Sequence, residues 1–363
     1  MSFYGKYITG TVCLAAVVVS GSVYAAKADI EVRLQESAAK GDAGAGKILY
    51  TITNNSGVPL HVLDWMTPLK EVTGDLFSVS IGGKEVPYLG KLVKRKAPTA
   101  KEYIALKPNE SLTAEVDLSA YYEMYRAGQY VVKYKRDIGT LVREAADAAA
   151  AKANGVAAAP ITLDTSAIPL SVKGGPAPAA NPGLMNAIAA VNGSNTFVSC
   201  SNAQQTALIN ARNNANNLAT NAKNYILAGT PGDRYTWWFG APNNARYTAV
   251  ANGYIKTEYA LTEESYTFNC GCTDRPTFYA YVFPHLPYTV YLCGAFWPAP
   301  DTGTDSKAGT LVHESTHFNV IAGTGDYAYG QSAAHSLALS DPDTAVKNGD
   351  SMEYFAENTP ARN

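Results

Sequence analysis

The chain has 363 residues and a formal net charge of −2. That length is enough for two domains with a core each, and so even a charge balance excludes the basic footprint of a nucleic-acid-binding protein. Only 17% of the residues are charged and 24 are tyrosine, which suits an extracellular protein with polar, aromatic strands.

Residues 1–25 read as a secretory signal peptide. Lys6 supplies a positive start, Val12 to Val19 an apolar run, and Val23-Tyr24-Ala25 a small-residue cleavage pattern before Ala26. The run is short for a bilayer span, and no later segment is longer and apolar enough, so the expected product is secreted with no membrane span. Residues 26–173 read as all-β. Ala28–Leu34 alternates strictly between apolar and polar, as a half-buried strand does. Lys47–Thr53 is a second strand, closed by the turn cluster Asn54-Asn55-Ser56-Gly57. Further strands are expected at 60–64, 77–81, 85–88, 103–106, 111–116, 130–134 and within 161–172, with Gly82-Gly83 as a hairpin signal. Strands of this length and spacing predict an antiparallel, immunoglobulin-like sandwich. His61 stands alone there and reads as structural. The Ala-rich stretch 141–160 favours helix by composition, or forms a loop insert. Residues 174–195 are a linker, opened by Gly174-Gly175-Pro176-Ala177-Pro178.

Residues 196–363 read as a mainly helical domain with a small sheet, so the fold class expected for the whole chain is α+β. Within 201–227, Ala207, Ile209, Leu218, Ala222, Tyr225 and Ile226 are spaced for a helix face, and Thr230-Pro231-Gly232 ends it. Tyr235–Gly240 is an aromatic cluster of core type. Residues 277–283 and 288–292 read as strands, 307–321 as a helix, and 350–358 as a final helix. Once the leader is removed, four cysteines remain: Cys200, Cys270, Cys272 and Cys293. An even count in a secreted protein predicts two disulfides with three possible pairings; Cys270 and Cys272 are too close in sequence to favour each other. C-x-C is a poor match to zinc-ligand spacings.

The chemistry-bearing stretch is His313-Glu314-Ser315-Thr316-His317. Two histidines four apart on a helix share a face and can grip one zinc ion. A glutamate beside them can serve as general base towards water. The metzincin pattern needs a histidine six residues after His317, where Gly323 stands instead. Gly323 and Gly325 turn the chain and could bring Asp326 back to the metal.

The stretch continues Gly323-Thr324-Gly325-Asp326-Tyr327-Ala328-Tyr329-Gly330. It resembles the deuterolysin (aspzincin) family, whose signature is HExxH followed by GTxDxxYG. The resemblance covers roughly residues 195–363. It implies one Zn2+ held by His313, His317 and Asp326, Glu314 as general base, and Tyr329 as hydrogen-bond donor to the oxyanion. It also implies the pairings Cys200–Cys270 and Cys272–Cys293. The N-terminal half is similar to the propeptide of secreted bacterial aspzincin toxins.

Asp350 and Glu353 are three apart and share a helix face. Converging near zinc they would form an acidic pocket for a lysine ammonium; alternatively, D-x-x-E opens a helix as a capping box. The peptidyl-lysine metalloendopeptidase branch of the family carries an Asp and a Glu at matching offsets, so the resemblance implies substrate binding by both and cleavage on the amino side of lysine. His335 and His285 read as packing residues.

The expectation is therefore a secreted, monomeric zinc endopeptidase acting on proteins or peptides, made as a precursor with its own propeptide as inhibitor. Processing is expected within 173–195, with Lys173 as a candidate position. The basic run Lys94-Arg95-Lys96 could seat a lysine in the acidic pocket, or could be a solvated loop. The competing reading is a secreted β-sandwich binding protein with a structural zinc. It would want four closing protein ligands, whereas Glu314 occupies the catalytic slot.

Overall fold

The computed structural model describes residues 28–37, 45–136, 141–143, 163–175 and 193–363. The expected signal peptide, most of the Ala-rich stretch and most of the expected linker lie outside the described residues.

The N-terminal half holds β1 (Ile30–Glu36), β2 (Lys47–Asn54), β3 (Leu60–Leu63), β4 (Phe77–Ile81), β5 (Lys84–Glu85), β6 (Leu92–Arg95), β7 (Tyr103–Leu106), β8 (Ser111–Asp117), β9 (Gly128–Tyr134), β10 (Val142–Arg143), β11 (Leu163–Thr165) and β12 (Ile168–Val172). They form sheets of order β11-β1-β2-β8, β12-β9-β4-β5 and β10-β3-β7. All these pairings are antiparallel except β1 with β11. Alternation sets the inward face: Ile48, Tyr50 and Ile52 of β2 are buried, as are Tyr130, Val132 and Tyr134 of β9, and both sets belong to one apolar core. The turn after β2 is tied by Asn54, whose Nδ2 donates to the carbonyls of Val58 and Leu106.

β6 departs from this pattern and from the sequence reading, which offered no strand there. All four of its residues are buried. It leaves the N-terminal sheets and pairs antiparallel with β15 of the C-terminal half, Tyr281 opposite Val93 and Ala280 opposite Lys94.

The C-terminal half contains β13 (Asn195–Val198), α1 (Asn202–Leu227), α2 (Asp233–Phe239), α3 (Asn244–Glu263), β14 (Tyr266–Asn269), β15 (Phe278–Val282), β16 (Thr289–Leu292), α4 (Lys307–His317), α5 (Gln331–Ser340), α6 (Pro342–Ala345) and α7 (Gly349–Glu357). Its sheet runs β13-β14-β16-β15-β6. β13, β14 and β16 are parallel, and β15 is antiparallel to β16. β15 is thus the outermost strand that this half supplies. α1 opens with a capping box between Ser201 and Gln204. Its buried face is Leu208, Ala211, Ala215, Ala219, Ala222 and Ile226. That face is rotated from the expected one: Ile209 is 41% exposed, because the small alanines, rather than the larger residues, let α3 and α4 approach. Tyr235, Trp238 and Phe239 join the core from a short helix.

Two disulfides tie the strand ends of this sheet together. Cys200–Cys270 joins the ends of β13 and β14 across a 70-residue separation, and Cys272–Cys293 joins the exits of β14 and β16 across 21. Closing a loop of the first size stabilises by about 4 kcal/mol through the unfolded chain. The Cys200→Ser/Cys270→Ser protein should therefore show a clearly lower denaturant midpoint in reversible unfolding. An unmoved midpoint would show that the long loop contributes nothing.

Candidate active site

α4 starts at Ser306, whose hydroxyl accepts the Gly309 N–H at 2.8 Å. His313 and His317 follow on one face, and both are fully buried. The helix ends at His317, four residues earlier than expected, where Phe318 turns extended. The chain reverses through Gly323, whose φ of +58° suits a residue without a side chain. Thr324 N–H then donates to the Thr316 carbonyl and Gly325 N–H to the Lys347 carbonyl. This return carries Asp326 to the histidines: its Oδ1 lies 3.1 Å from His313 Nε2 and 3.3 Å from His317 Nε2.

The tautomer of His317 follows from its other nitrogen. Nδ1 lies 3.0 Å from the Thr324 carbonyl oxygen. A carbonyl only accepts, so Nδ1 carries the proton and Nε2 keeps its lone pair for the Asp326 side. His313 Nδ1 faces Asp350 Oδ1 at 3.1 Å and Glu353 Oε2 at 3.2 Å. Burial would lower the His313 pKa, but Asp326, Asp350 and Glu353 outweigh it and raise it well above the ordinary imidazole value. Burial would likewise raise Asp326; the two imidazoles reverse this and hold its carboxyl far below the usual range. Both shifts describe a place built for positive charge.

The donor set fits a divalent metal. His313 Nε2 and His317 Nε2 have no hydrogen-bond partner among the described residues, and with Asp326 they form a compact ligand cluster. Donor atoms about 2.0–2.1 Å from a tetrahedral cation stand roughly 3.3 Å apart, which matches the two nitrogen–oxygen distances. Glu314 lies beside them, fully buried. Both its carboxylate oxygens lack a hydrogen-bond partner among the described residues, and burial pushes its pKa up to about 7. Such a carboxyl sits in the proton-accepting range of a general base.

Gly349 is a residue that sequence reasoning missed. A Cβ there would stand 2.8 Å from Cε1 of both His313 and His317. Only glycine lets α7 come so close to the two rings, and its N–H donates to the Gly325 carbonyl at 2.9 Å. A glycine directly before Asp350 at the start of a helix carries no such signal in a single sequence.

α7 brings Asp350 and Glu353 to the same place, and neither caps its own helix. Asp350 Oδ2 accepts the Gly330 N–H at 2.6 Å. The N-cap residue Asn348 makes no side-chain capping bond to the α7 backbone; its Nδ2 donates to the Ser351 hydroxyl and its Oδ1 receives the N–H groups of Tyr327 and Ala328. Between the two acids sits Lys94 of β6. Its Nζ is 2.5 Å from Glu353 Oε2 and 3.8 Å from Asp350 Oδ1, and the side chain is fully buried. Burial works against the ammonium, but Glu353, Asp350 and Asp305 together raise its pKa well above the usual lysine value. The next residue back, Val93, donates its N–H to Asp326 Oδ2 at 3.0 Å. Of the run 94–96, Lys94 and Arg95 are thus buried in a strand, and only Lys96, just past its end, is exposed.

Tyr329 is buried against the N-terminal half, edge-on to Trp65 with ring centroids 5.7 Å apart. Burial raises its pKa far above that of a free phenol, so it is a hydrogen-bond donor. His335 lies elsewhere, stacked on Trp237 at 3.6 Å with Nδ1 on the Trp237 carbonyl.

The family model for lysine-specific metallo-endopeptidases of the aspzincin type matches residues 224–357. An extracellular protease of Aeromonas hydrophila is 38% identical over 351 residues, spanning 96% of this chain and 97% of that protein. A peptidyl-Lys metalloendopeptidase of Pleurotus ostreatus is 49% identical over 167 residues, 46% of this chain and 98% of its own. A solved zinc peptidase from Grifola frondosa, 49% identical, covers 45% of this chain and all of its own, with a TM-score of 0.43. No helix among the described residues is long and apolar enough to cross a membrane. Shared sequence along almost the whole length of a relative, around a buried His-His-Asp cluster with a free glutamate beside it, makes this chain a member of the aspzincin metallo-endopeptidase family.

Proposed function

We propose that the chain is a secreted zinc endopeptidase, made as a latent precursor, that hydrolyses peptide bonds on the amino side of lysine. The observation that carries this is the Lys94 ammonium seated against Glu353 and Asp350 while its own strand lies along β15, next to the His313–His317–Asp326 cluster. A bound lysine side chain and an extended backbone are what a substrate would present there. In this reading residues 26–173 form an immunoglobulin-like propeptide, 174–195 hold the processing region with exposed Lys173 at its start, and 196–363 are the peptidase.

Zinc held by His313, His317 and Asp326 would supply Lewis acidity for the scissile carbonyl and for water. The Glu314 carboxylate takes a proton from the attacking water and returns it to the leaving amine nitrogen. The Tyr329 hydroxyl donates to the developing oxyanion once Trp65 has left. Thr324 fixes the proton on His317 Nδ1, and Gly330 N–H fixes Asp350. The lysine ammonium is bound by Glu353 directly and by Asp350 at longer range.

The test is a digest of a denatured, unrelated protein by the zinc-loaded chain after processing, read by mass spectrometry with and without a chelator. New peptides should begin with lysine and vanish with chelator. In Glu353→Gln the lysine preference should fall by roughly tenfold to a hundredfold, the loss expected for a hydrogen bond to a charged group. Chelator-sensitive cuts with no bias towards lysine would sink the pocket while keeping the peptidase.

A further inference from the structure

The pocket around Lys94 has a third acidic wall. Asp305 precedes α4, and its Oδ1 stands 3.2 Å from Lys94 Nζ. We propose that Asp305 is a specificity-determining residue of this site, the third carboxylate around a substrate lysine ammonium and the one that favours lysine over arginine. The inference rests on the lysine-pocket reading above and extends it to a residue outside both motifs.

The geometry around Nζ suits a compact cation. Glu353 and Asp350 reach it from α7, and Asp305 from the loop before α4. The ring of Tyr279 stands 5.0 Å from Nζ and that of Tyr354 5.7 Å, both within cation–π range. An ammonium offers three N–H donors pointing in different directions, so single oxygens from separate elements can each meet one. A guanidinium is a planar fork that binds best to two oxygens lying side by side. Close single-oxygen contacts from Glu353 and Asp305, with Asp350 at 3.8 Å and aromatic faces between, match the first cation.

Asp305 is also held in place for this role. Its backbone is left-handed, with φ +55°, a conformation that aspartate and asparagine tolerate better than most residues. Its N–H donates to Glu357 Oε2 at 3.1 Å, and its Oδ1 accepts the Tyr354 hydroxyl at 2.8 Å. The Asp305 side chain is 33% exposed where those of Glu353 and Asp350 are 0% and 1%. It is therefore the solvent-side wall, and it limits how long a cation can extend. The two inner acids alone would accept either basic side chain.

Two variants keep the backbone and change only the wall. Asp305→Asn retains an acceptor for Tyr354 and tolerates positive φ; Asp305→Gly suits that φ with no side chain. The full chain is loaded with zinc and allowed to process, and kcat and KM are measured on two peptides that differ only in lysine or arginine after the scissile bond. In Asp305→Asn, KM for the lysine peptide should rise roughly tenfold, by more than kcat falls. In Asp305→Gly, the lysine-to-arginine ratio of kcat/KM should also drop by about tenfold or more. Unaltered KM and unaltered ratio in both variants would overturn the assignment, and so would an equal loss of kcat on both peptides, the mark of a merely structural residue. A wild-type enzyme that cuts both peptides equally would overturn the pocket reading itself, and this inference with it.

Discussion

Glu314→Gln should lower kcat on a lysine-containing peptide by about 10²- to 10⁴-fold, the range a positioned general base contributes. The carboxamide has nearly the same shape, so the core of α4 and the bound metal should be retained. What it loses is the ability to take a proton. Glu314 is suited to that task because it is fully buried and its oxygens are uncommitted among the described residues. Steady-state kinetics, with metal content and thermal midpoint measured on the same preparation, check this. A variant with full metal and an activity within tenfold of wild type would remove Glu314 from the mechanism. The same protein should accumulate as the uncut full-length chain. Processing of it in a preparation free of other proteases would show that the cut does not depend on Glu314.

Lys94→Met should turn the precursor from latent to active. Methionine keeps the length of the stem and deletes the charge. Glu353 and Asp350 would then be buried with no ammonium between them. Leaving such groups unpaired costs about 3–5 kcal/mol, which corresponds to roughly 10²- to 10⁴-fold in the equilibrium that keeps β6 in the cleft. The initial rate on a small fluorogenic lysine peptide, taken on unprocessed chain directly after zinc loading, should rise accordingly. An intact Lys94→Met chain as silent as wild type would show that latency comes from the rest of the interface.

The parts of the site that were legible in the sequence are local. His313, Glu314 and His317 share one helix, so spacing places them together, whereas Asp326 beyond the glycine turn was assigned by the family resemblance. Asp350 and Glu353 were legible as a pair but ambiguous in role, because a capping box and a cation pocket use the same spacing. What resisted reading depends on partners far along the chain. β6 lacks alternation because both its faces are covered: Lys94 enters the acidic pocket on one face, while Val93 on the other packs with Phe278 and Cys293. A buried lysine beside Arg95 and Lys96 therefore looks like a surface run. Gly349 answers a steric demand that exists only once α7 meets α4. On α1 the expected Ala222 and Ile226 are buried but Ile209 is not, because the rest of the inner face is built from Ala211, Ala215 and Ala219, which close packing selects.

β6 completes a sheet whose outermost strand would otherwise be β15. If β6 is released, as the proposed latency requires, β15 would be left with an unsatisfied row of N–H and C=O groups, the feature that templates aggregation when proteins do not shield it. An enzyme must nevertheless leave that row open, since an extended substrate binds by the same backbone hydrogen bonds. Those bonds are blind to side chains, so discrimination falls on the single pocket below, and the sequences cut should vary widely around one fixed lysine. During synthesis the N-terminal half emerges first and can shield the sticky rim before the peptidase has any substrate to cover it. A peptidase half produced without it should lose material to self-association as it folds, and an extended lysine peptide supplied during refolding should partly restore the soluble yield.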